Sequence, residues 1–236
     1  MPQLVFIHGP GAGGCADAWA PQLEHFPGSV GPTLPGHLEG TRCADVRGYV
    51  EWVRGWLWAQ GLHKDLLLCG FTLGAAIALE YALDYPDEVA GLALMTVSMH
   101  ATTAAPGVLE LRLKAAEDAE AYEQWIARQR QAMKWVDPVL AERLMERHRQ
   151  VGPLSQYHDL VMLRAFDVHE RIGSLQPKLL LVRGEDDPIH GREGEREIHE
   201  AVPGSTYVRL PKAGHFPALE NPAEFNEHLE TFAASL

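Results

Sequence analysis

The segment GFTLG at residues 70–74 has the residue types and spacing of a nucleophile held at a sharp turn. It follows the apolar run 66–69 and precedes small and apolar residues typical of a buried helix. The pattern G-x-S-x-G at such a strand-to-helix turn exposes a nucleophilic hydroxyl, and threonine stands here in the central position. We therefore predict Thr72 as the nucleophile and the N–H of Leu73, at the helix start, as an oxyanion donor.

A glycine-rich loop, FIHGPGAGG at residues 6–14, follows the first predicted strand. Glycines let a backbone approach a ligand closely, so this loop is predicted to supply the other side of the oxyanion hole through Pro10 and Gly11. His8 is expected to brace the loop and to border the pocket.

An acid and a base follow the last two predicted strands. Asp187 lies three residues beyond Gly184 in LLLVRGEDDPIH, residues 179–190. His215 follows a strand and a glycine in LPKAGHFPALENP, residues 210–222. A histidine can take the nucleophile's proton and return it to the leaving group, and a carboxylate can orient that histidine. These are the roles that we predict for His215 and Asp187.

The elements that must position these residues are short strands alternating with helices. Five apolar runs predict buried strands, at residues 4–7, 66–69, 92–97, 179–182 and 206–210. Strand–helix alternation indicates an α/β fold with a mainly parallel sheet covered on both faces. The alternation stops between about 101 and 174, where apolar residues recur at helical spacing. That stretch predicts a helical insertion at the edge of the core.

Composition limits the classes of protein and partner. Of 236 residues 46% are hydrophobic, enough for a sizeable core, and the formal net charge is −12. This acidity disfavours nucleic-acid binding and membrane attachment through basic residues. The sequence opens without a basic signal region and holds no membrane-length apolar run, so we expect a cytoplasmic protein acting on a small molecule, as a monomer or a homodimer.

Neither a cofactor nor a metal is expected. The three cysteines are too few and too scattered for a disulfide framework or a zinc site. The histidines and acids lack ligand spacing, and GPGAGG lacks the lysine of a P-loop and the downstream acid of a dinucleotide-binding unit.

The order nucleophile, acid, histidine resembles that of the α/β-hydrolase fold superfamily. The resemblance covers nearly the whole chain, through FIHG, TLPGHLEGT (33–41), CGFTLGAAIALEYALDYPDEVAGLALM and AGHFPALENPAEFNEHL. Within this superfamily the sequence is similar to the small-cap bacterial esterases and hydrolases, with threonine in place of the nucleophilic serine. The resemblance implies a hydrolase core at 1–100 and 175–236, a helical cap at 101–174 over the pocket, and a Thr72, Asp187, His215 triad.

Three departures from the family pattern matter. The chain begins near the family's third strand, so a sheet of about six strands is expected. Pro10 follows His8-Gly9 where many relatives have a backbone donor, and proline has no N–H; Gly11 or Ala12 takes over, or the hole is weaker. The methyl group of Thr72 restricts its torsion. If the methyl group costs the nucleophile one well-aligned contact, worth about 1.4 kcal/mol, the reaction is slowed about tenfold. A slow enzyme is therefore expected.

The sequence leaves three functions open. The first is hydrolysis of a carboxylic ester or thioester through the triad. The second is a lyase or C–C bond hydrolase using the same pocket without an acyl-enzyme, and the third is a non-catalytic ligand-binding member of the fold. Phe71, His100 and Phe216 are further candidate pocket residues. His190 is expected at the surface, and EREIHE at 195–200 is interpreted as a solvated helix face.

Overall fold

The computed structural model describes residues 1–101, 107–187 and 194–236. Within these ranges the strands form a single parallel sheet in which each strand pairs with the next along the chain. The strands are β1 (Gln3–Ile7), β2 (Leu66–Phe71), β3 (Val89–Met95), β4 (Lys178–Gly184) and β5 (Thr206–Leu210). Each of the five predicted runs is a strand, and the five-stranded sheet is close to the six expected.

A single residue takes the place of a further edge strand beside β1. Val30 forms an isolated parallel bridge to Val5. Its carbonyl accepts from the N–H of Phe6 at 2.8 Å, and its N–H donates to the carbonyl of Leu4 at 3.1 Å. The chain thus follows β1 for one residue, too briefly to count as a strand.

Helices cover both faces of the sheet. Side chains alternate between the faces along each strand: Val5 and Ile7 pack into one apolar cluster, Leu4 and Phe6 into the other. The described helices are α1 (Ala20–His25), α2 (Val46–Trp58), α3 (Leu73–Asp84), α4 (Val108–Ala115), α5 (Ala119–Ala132), α6 (Pro138–Val151), α7 (Pro153–Leu163), α8 (Gly194–Ala201), α9 (Pro217–Glu220) and α10 (Pro222–Ala234). None of the helices in the described ranges is long and apolar enough to cross a bilayer.

Helices α4 to α7 form the insertion between β3 and β4, which contains no strand in its described part. Trp125, Leu144 and Met145 of these helices are buried in the same apolar cluster as Phe71 and Phe216 of the sheet side. The insertion therefore packs directly on the edge of the sheet that carries the predicted site.

Candidate active site

Four polar side chains follow four neighbouring strands. Thr72 comes directly after β2, Thr96 directly after β3, Asp187 shortly after β4 and His215 after β5. Because the strands are parallel, all four lie at the carboxyl edge of the sheet, where open α/β sheets bind ligands. We call Thr72 and Thr96 the nucleophile half of the site, and Asp187 and His215 the acid–histidine half.

The backbone at Thr72 makes the sharp turn that the sequence predicted. Its φ is 53° and its ψ −113°, a region that a β-branched residue rarely occupies. A Cβ on Gly70 would lie 2.4 Å from the carbonyl oxygen of Gly74, and one on Gly74 would lie 2.0 Å from that of Ile7. Only glycine fits at either position, so the two flanking glycines are required by the turn.

The hydroxyl of Thr72 is paired with a second hydroxyl, that of Thr96. The two Oγ1 atoms lie 3.1 Å apart. The N–H of Thr72 donates to Thr96 Oγ1 at 3.0 Å and to the carbonyl of Met95 at 3.2 Å. Since Thr96 Oγ1 already accepts from this N–H, its own proton is available to Thr72 Oγ1.

The structure places the side chains of Asp187 and His215 next to each other. His215 Nδ1 lies 3.3 Å and 3.4 Å from the two carboxylate oxygens of Asp187. The side chain of Asp187 is 3% exposed and that of His215 is 17% exposed. The segments that carry the two residues are in close contact: a Cβ on Gly184 would lie only 2.1 Å from the carbonyl oxygen of Gly214. The pair has the geometry in which a carboxylate orients an imidazole.

The two halves meet through their neighbours. The rings of Phe71 and Phe216, each adjacent to a predicted triad residue, contact edge to face with centroids 5.7 Å apart. Across the described residues no hydrogen bond joins Thr72 to His215, and the hydroxyl of Thr72 faces Thr96. The structure thus forms two hydrogen-bonded pairs side by side.

Two further charges are buried next to the acid–histidine half. Arg183 donates to Glu195 at 3.0 Å and lies 3.8 Å from Asp187. Burial raises the pKa of Glu195, while Glu195 and Asp187 raise the pKa of Arg183 against the effect of burial. The interpretation of 195–200 as a solvated helix face is therefore wrong at Glu195, which is 1% exposed. Its partner Arg183 lies on β4, and the spacing of residues within the helix cannot predict a contact with a strand.

The predicted oxyanion donors are Leu73, Pro10 and Gly11. The backbone N–H groups of Leu73 and Gly11 make no hydrogen bond to the described residues. Pro10 contributes only its carbonyl, which accepts from Gln156 Nε2 at 3.0 Å. Because proline has no N–H, Pro10 cannot itself donate to an oxyanion, and Gly11 and Ala12 remain the candidate donors of this loop. Gly13, two residues on, donates to Nε2 of His148 at 2.9 Å.

His8 lies beneath this loop and is fully buried. Its Nε2 accepts from the N–H of Leu34 at 2.9 Å, and its Nδ1 donates to the carbonyl of Gly9 at 3.1 Å. Burial, and the nearby ring of His37, lower its pKa well below the usual value. His8 is a neutral brace, as the sequence suggested, and both of its nitrogens are occupied, so it has none to offer a pocket.

The other candidate pocket residues divide. Phe71 and Phe216 line an apolar cavity of about 10 Å³ with Met95 and Ala18, room for about one water molecule. His100 is half-buried and lies beside Asp167 and His169, with no hydrogen bond to Thr72 or His215 in the described chain. His190 falls outside the described residues.

Sequence reasoning missed Thr96, Gln156 and His148. Thr96 was not singled out because it lies inside the predicted run 92–97, whereas β3 ends at Met95 and leaves Thr96 directly after the strand. Gln156 and His148 reach the loop from the inserted helices, and no spacing in the sequence indicates which of their faces meets the core.

Comparison with known proteins adds the family. The profile described as the alpha/beta hydrolase family matches residues 4–228. The chain belongs to this family. A 2-hydroxy-6-oxo-6-phenylhexa-2,4-dienoate hydrolase of Burkholderia cepacia is 26% identical over 251 aligned positions, covering 98% of this chain and 87% of that protein. A pimeloyl-[acyl-carrier protein] methyl ester esterase of Aromatoleum aromaticum is 24% identical, covering 94% of each.

Solved structures of the family share the fold. A thermophilic esterase from Thermogutta terrifontis superposes with a TM-score of 0.81 at 21% identity, covering 100% of this chain and 90% of that one. The enol-lactonase from Burkholderia xenovorans LB400 gives a TM-score of 0.83 at 18% identity, covering 99% and 91%. At these identities the likeness establishes the fold and leaves the substrate open.

Proposed function

We propose that this α/β hydrolase cleaves a carboxylic ester or thioester of a small to medium substrate through Thr72, His215 and Asp187. Thr72 attacks the carbonyl carbon, His215 takes its proton and returns it to the leaving group, and Asp187 orients the imidazole. The observation that carries the proposal is the turn at Thr72, where a hydroxyl stands at the carboxyl edge of the sheet beside a bonded Asp187–His215 pair.

The oxyanion would be held by backbone N–H groups. Leu73 opens α3, so its N–H lies at the positive end of the helix dipole. Gly11 belongs to the loop that packs against Phe216, where a Cβ on Gly11 would lie 2.5 Å from the ring. Both N–H groups are free for a developing negative charge, and each such donor is worth on the order of 10²–10³ in kcat.

We further propose that the helices at 101–174 act as a cap over this site and shape the choice of substrate. They reach the core at defined points: Gln156 binds the carbonyl of Pro10, and Asp159 binds His37 Nε2 at 2.8 Å. A substrate entering above Thr72 would meet these helices first.

The test is a panel of short activated esters and thioesters on the wild type, Thr72→Ser and Thr72→Ala. Serine removes the methyl group and suits the positive φ better, so its kcat should rise about tenfold, while alanine should lose the activity. Thr231→Ser, on the exposed face of α10, is the matched control and should change nothing. Turnover by Thr72→Ala equal to that of the wild type would rule Thr72 out as the nucleophile.

A second function has an observation in its favour. The Thr72 hydroxyl is paired with Thr96, and one relative is named as a hydrolase of a dienoate. In C–C bond hydrolysis water would add to a carbonyl carbon, the adjacent C–C bond would break, and the departing carbon would take up a proton, with Thr72 and His215 transferring the protons and no acyl-enzyme forming. Rapid-quench mass spectrometry separates the two, since an adduct of acyl mass on the peptide carrying Thr72 is expected only from the ester mechanism.

A further inference from the structure

Three side chains of ligand type meet where the chain passes between the sheet and the inserted helices. His100 lies on the segment that leaves β3, and Asp167 and His169 lie on the segment that returns from α7. In the described ranges they form a group in which one ligand atom from each residue lies within 4.8 Å of the other two. Because His100 is far in sequence from Asp167 and His169, residue spacing alone does not predict this group.

The carboxylate of Asp167 is at the centre of the group. His169 Nδ1 lies 2.5 Å from its Oδ1, and His100 Nδ1 lies 3.9 Å from its Oδ2. Backbone N–H groups fix both oxygens: that of Ala101 donates to Oδ2 and that of His169 to Oδ1, each at 3.1 Å. The two imidazoles stack with centroids 5.0 Å apart and planes 28° apart, so both turn Nδ1 towards one carboxylate.

We propose that His100, Asp167 and His169 form a binding site for a divalent ion of the Zn²⁺ class. Two imidazoles and a carboxylate are a ligand set that zinc accepts, with water completing the tetrahedron. In a tetrahedral site, zinc–ligand distances of about 2.0–2.2 Å require ligand atoms about 3.3–3.6 Å apart. The 2.5 Å between His169 Nδ1 and Asp167 is shorter than this, and the 3.9 Å between His100 Nδ1 and Asp167 is longer. The side chains of His100 and His169 are 28% and 48% exposed, so they have room to adjust.

The position of the group gives the ion a structural consequence. The carbonyl of Met99 accepts from the N–H of Val168 at 2.8 Å, so the outgoing and returning segments already run side by side. An ion held by His100 on one and by Asp167 and His169 on the other would cross-link the two connections between sheet and inserted helices. Neither Thr72 nor His215 is among the ligands, so the site is independent of the proposed reaction.

Isothermal titration of the tag-free, EDTA-treated full chain with Zn²⁺ tests the site. We expect one ion per chain, a rise in melting temperature with Zn²⁺, and no binding of Mg²⁺, which prefers oxygen ligands. His100→Ala, His169→Ala and Asp167→Asn should each weaken binding at least ~10-fold, equivalent to about 1.4 kcal/mol. Asparagine keeps an oxygen for the N–H of Ala101, so this variant should fold as the wild type does.

His25→Ala is the matched control. His25 is also exposed and its Nε2 lies 2.7 Å from the carboxylate of Glu230, but no second histidine among the described residues joins that pair. Zinc affinity should be unchanged in this variant. Binding that survives in His169→Ala, that is lost equally in His25→Ala, or that is absent from the wild type overturns the proposal. If His169→Ala melts lower than the wild type without metal, His169→Gln repeats the test.

Discussion

The two halves of the site are built on different physical principles. The nucleophile half consists of uncharged hydroxyls on a strained backbone, with φ at 53° for Thr72 and 47° for Thr96. In the acid–histidine half, neither Asp187 nor His215 has a positive φ, and position is set by charge: the imidazole, its carboxylate and the adjacent Arg183.

A strained backbone and a charged side-chain pair respond to substitution in different ways. A residue held in a sparsely populated backbone region costs on the order of 1–3 kcal/mol and stays there only because its surroundings determine it. Around Thr72 the surroundings are Gly70, Gly74 and the hydrogen bonds to Met95 and Thr96. The turn holds Thr72 through backbone geometry, whereas Asp187 and His215 are held by a hydrogen bond between a carboxylate and an imidazole. Substitutions in the two halves should therefore have effects of different kinds.

The largest effect is expected at the acid. Asp187→Asn preserves shape but removes the charge that orients His215 and stabilises its protonated form, so kcat on the best ester of the panel should fall about 10⁴-fold. Asp186→Asn, at the exposed neighbouring acid, should retain the wild-type rate. If Asp187→Asn kept more than a tenth of the activity, charge would not be what organises this half.

The next effect concerns pH and the loop beside the nucleophile half. Burial, with the charge of Arg112, lowers the pKa of His148 to about 3. The unfolded chain, with a histidine pKa of about 6.5, binds the proton first. Stability from this group is therefore complete above pH 6.5 and is lost as the pH falls towards 3. Between pH 6.5 and 5 the loss should be about 2 kcal/mol.

Urea unfolding of the wild type and His148→Gln at pH 7 and pH 5 measures this loss. Glutamine offers an oxygen to the N–H of Gly13, which His148 Nε2 binds at present, and it does not titrate. The variant should lose about 2 kcal/mol less than the wild type between the two pH values. Equal losses would mean that His148 is not the group responsible.

The comparison also explains what the sequence could predict. The strands, the mainly parallel sheet and the candidate residues after β2, β4 and β5 could be predicted, because apolar runs and flanking glycines are local signals. Asp187 and His215 were predicted as site residues in this way, and the structure places His215 Nδ1 3.3 Å from Asp187 Oδ1. Thr96 was not found because the predicted strand at 92–97 includes it, whereas β3 ends one residue before it, at Met95.

Contacts that cross from one element to another were not accessible. Glu195 lies on a charged helix whose sequence indicates exposure, yet its side chain is buried and accepts a hydrogen bond from Arg183 on β4. The pairing of His37 with Asp159 and of Pro10 with Gln156 depends on how α7 docks. Such docking is set by the packing of whole helices, and the periodicity of one helix gives no direction relative to another.

The last prediction concerns Thr96, which we interpret as a positioning residue for Thr72. Thr96→Val removes its hydroxyl at nearly constant shape, while the N–H of Thr72 keeps the carbonyl of Met95. If Thr96 donates to Thr72 Oγ1, it leaves the proton of Thr72 free for His215 and stabilises the attacking oxygen. kcat should then fall about tenfold, or ~1.4 kcal/mol, with KM little changed, and Thr96→Ser should restore the rate. A kcat above that of the wild type in Thr96→Val would mean the reverse, that the pair of hydroxyls withholds the nucleophile from the histidine.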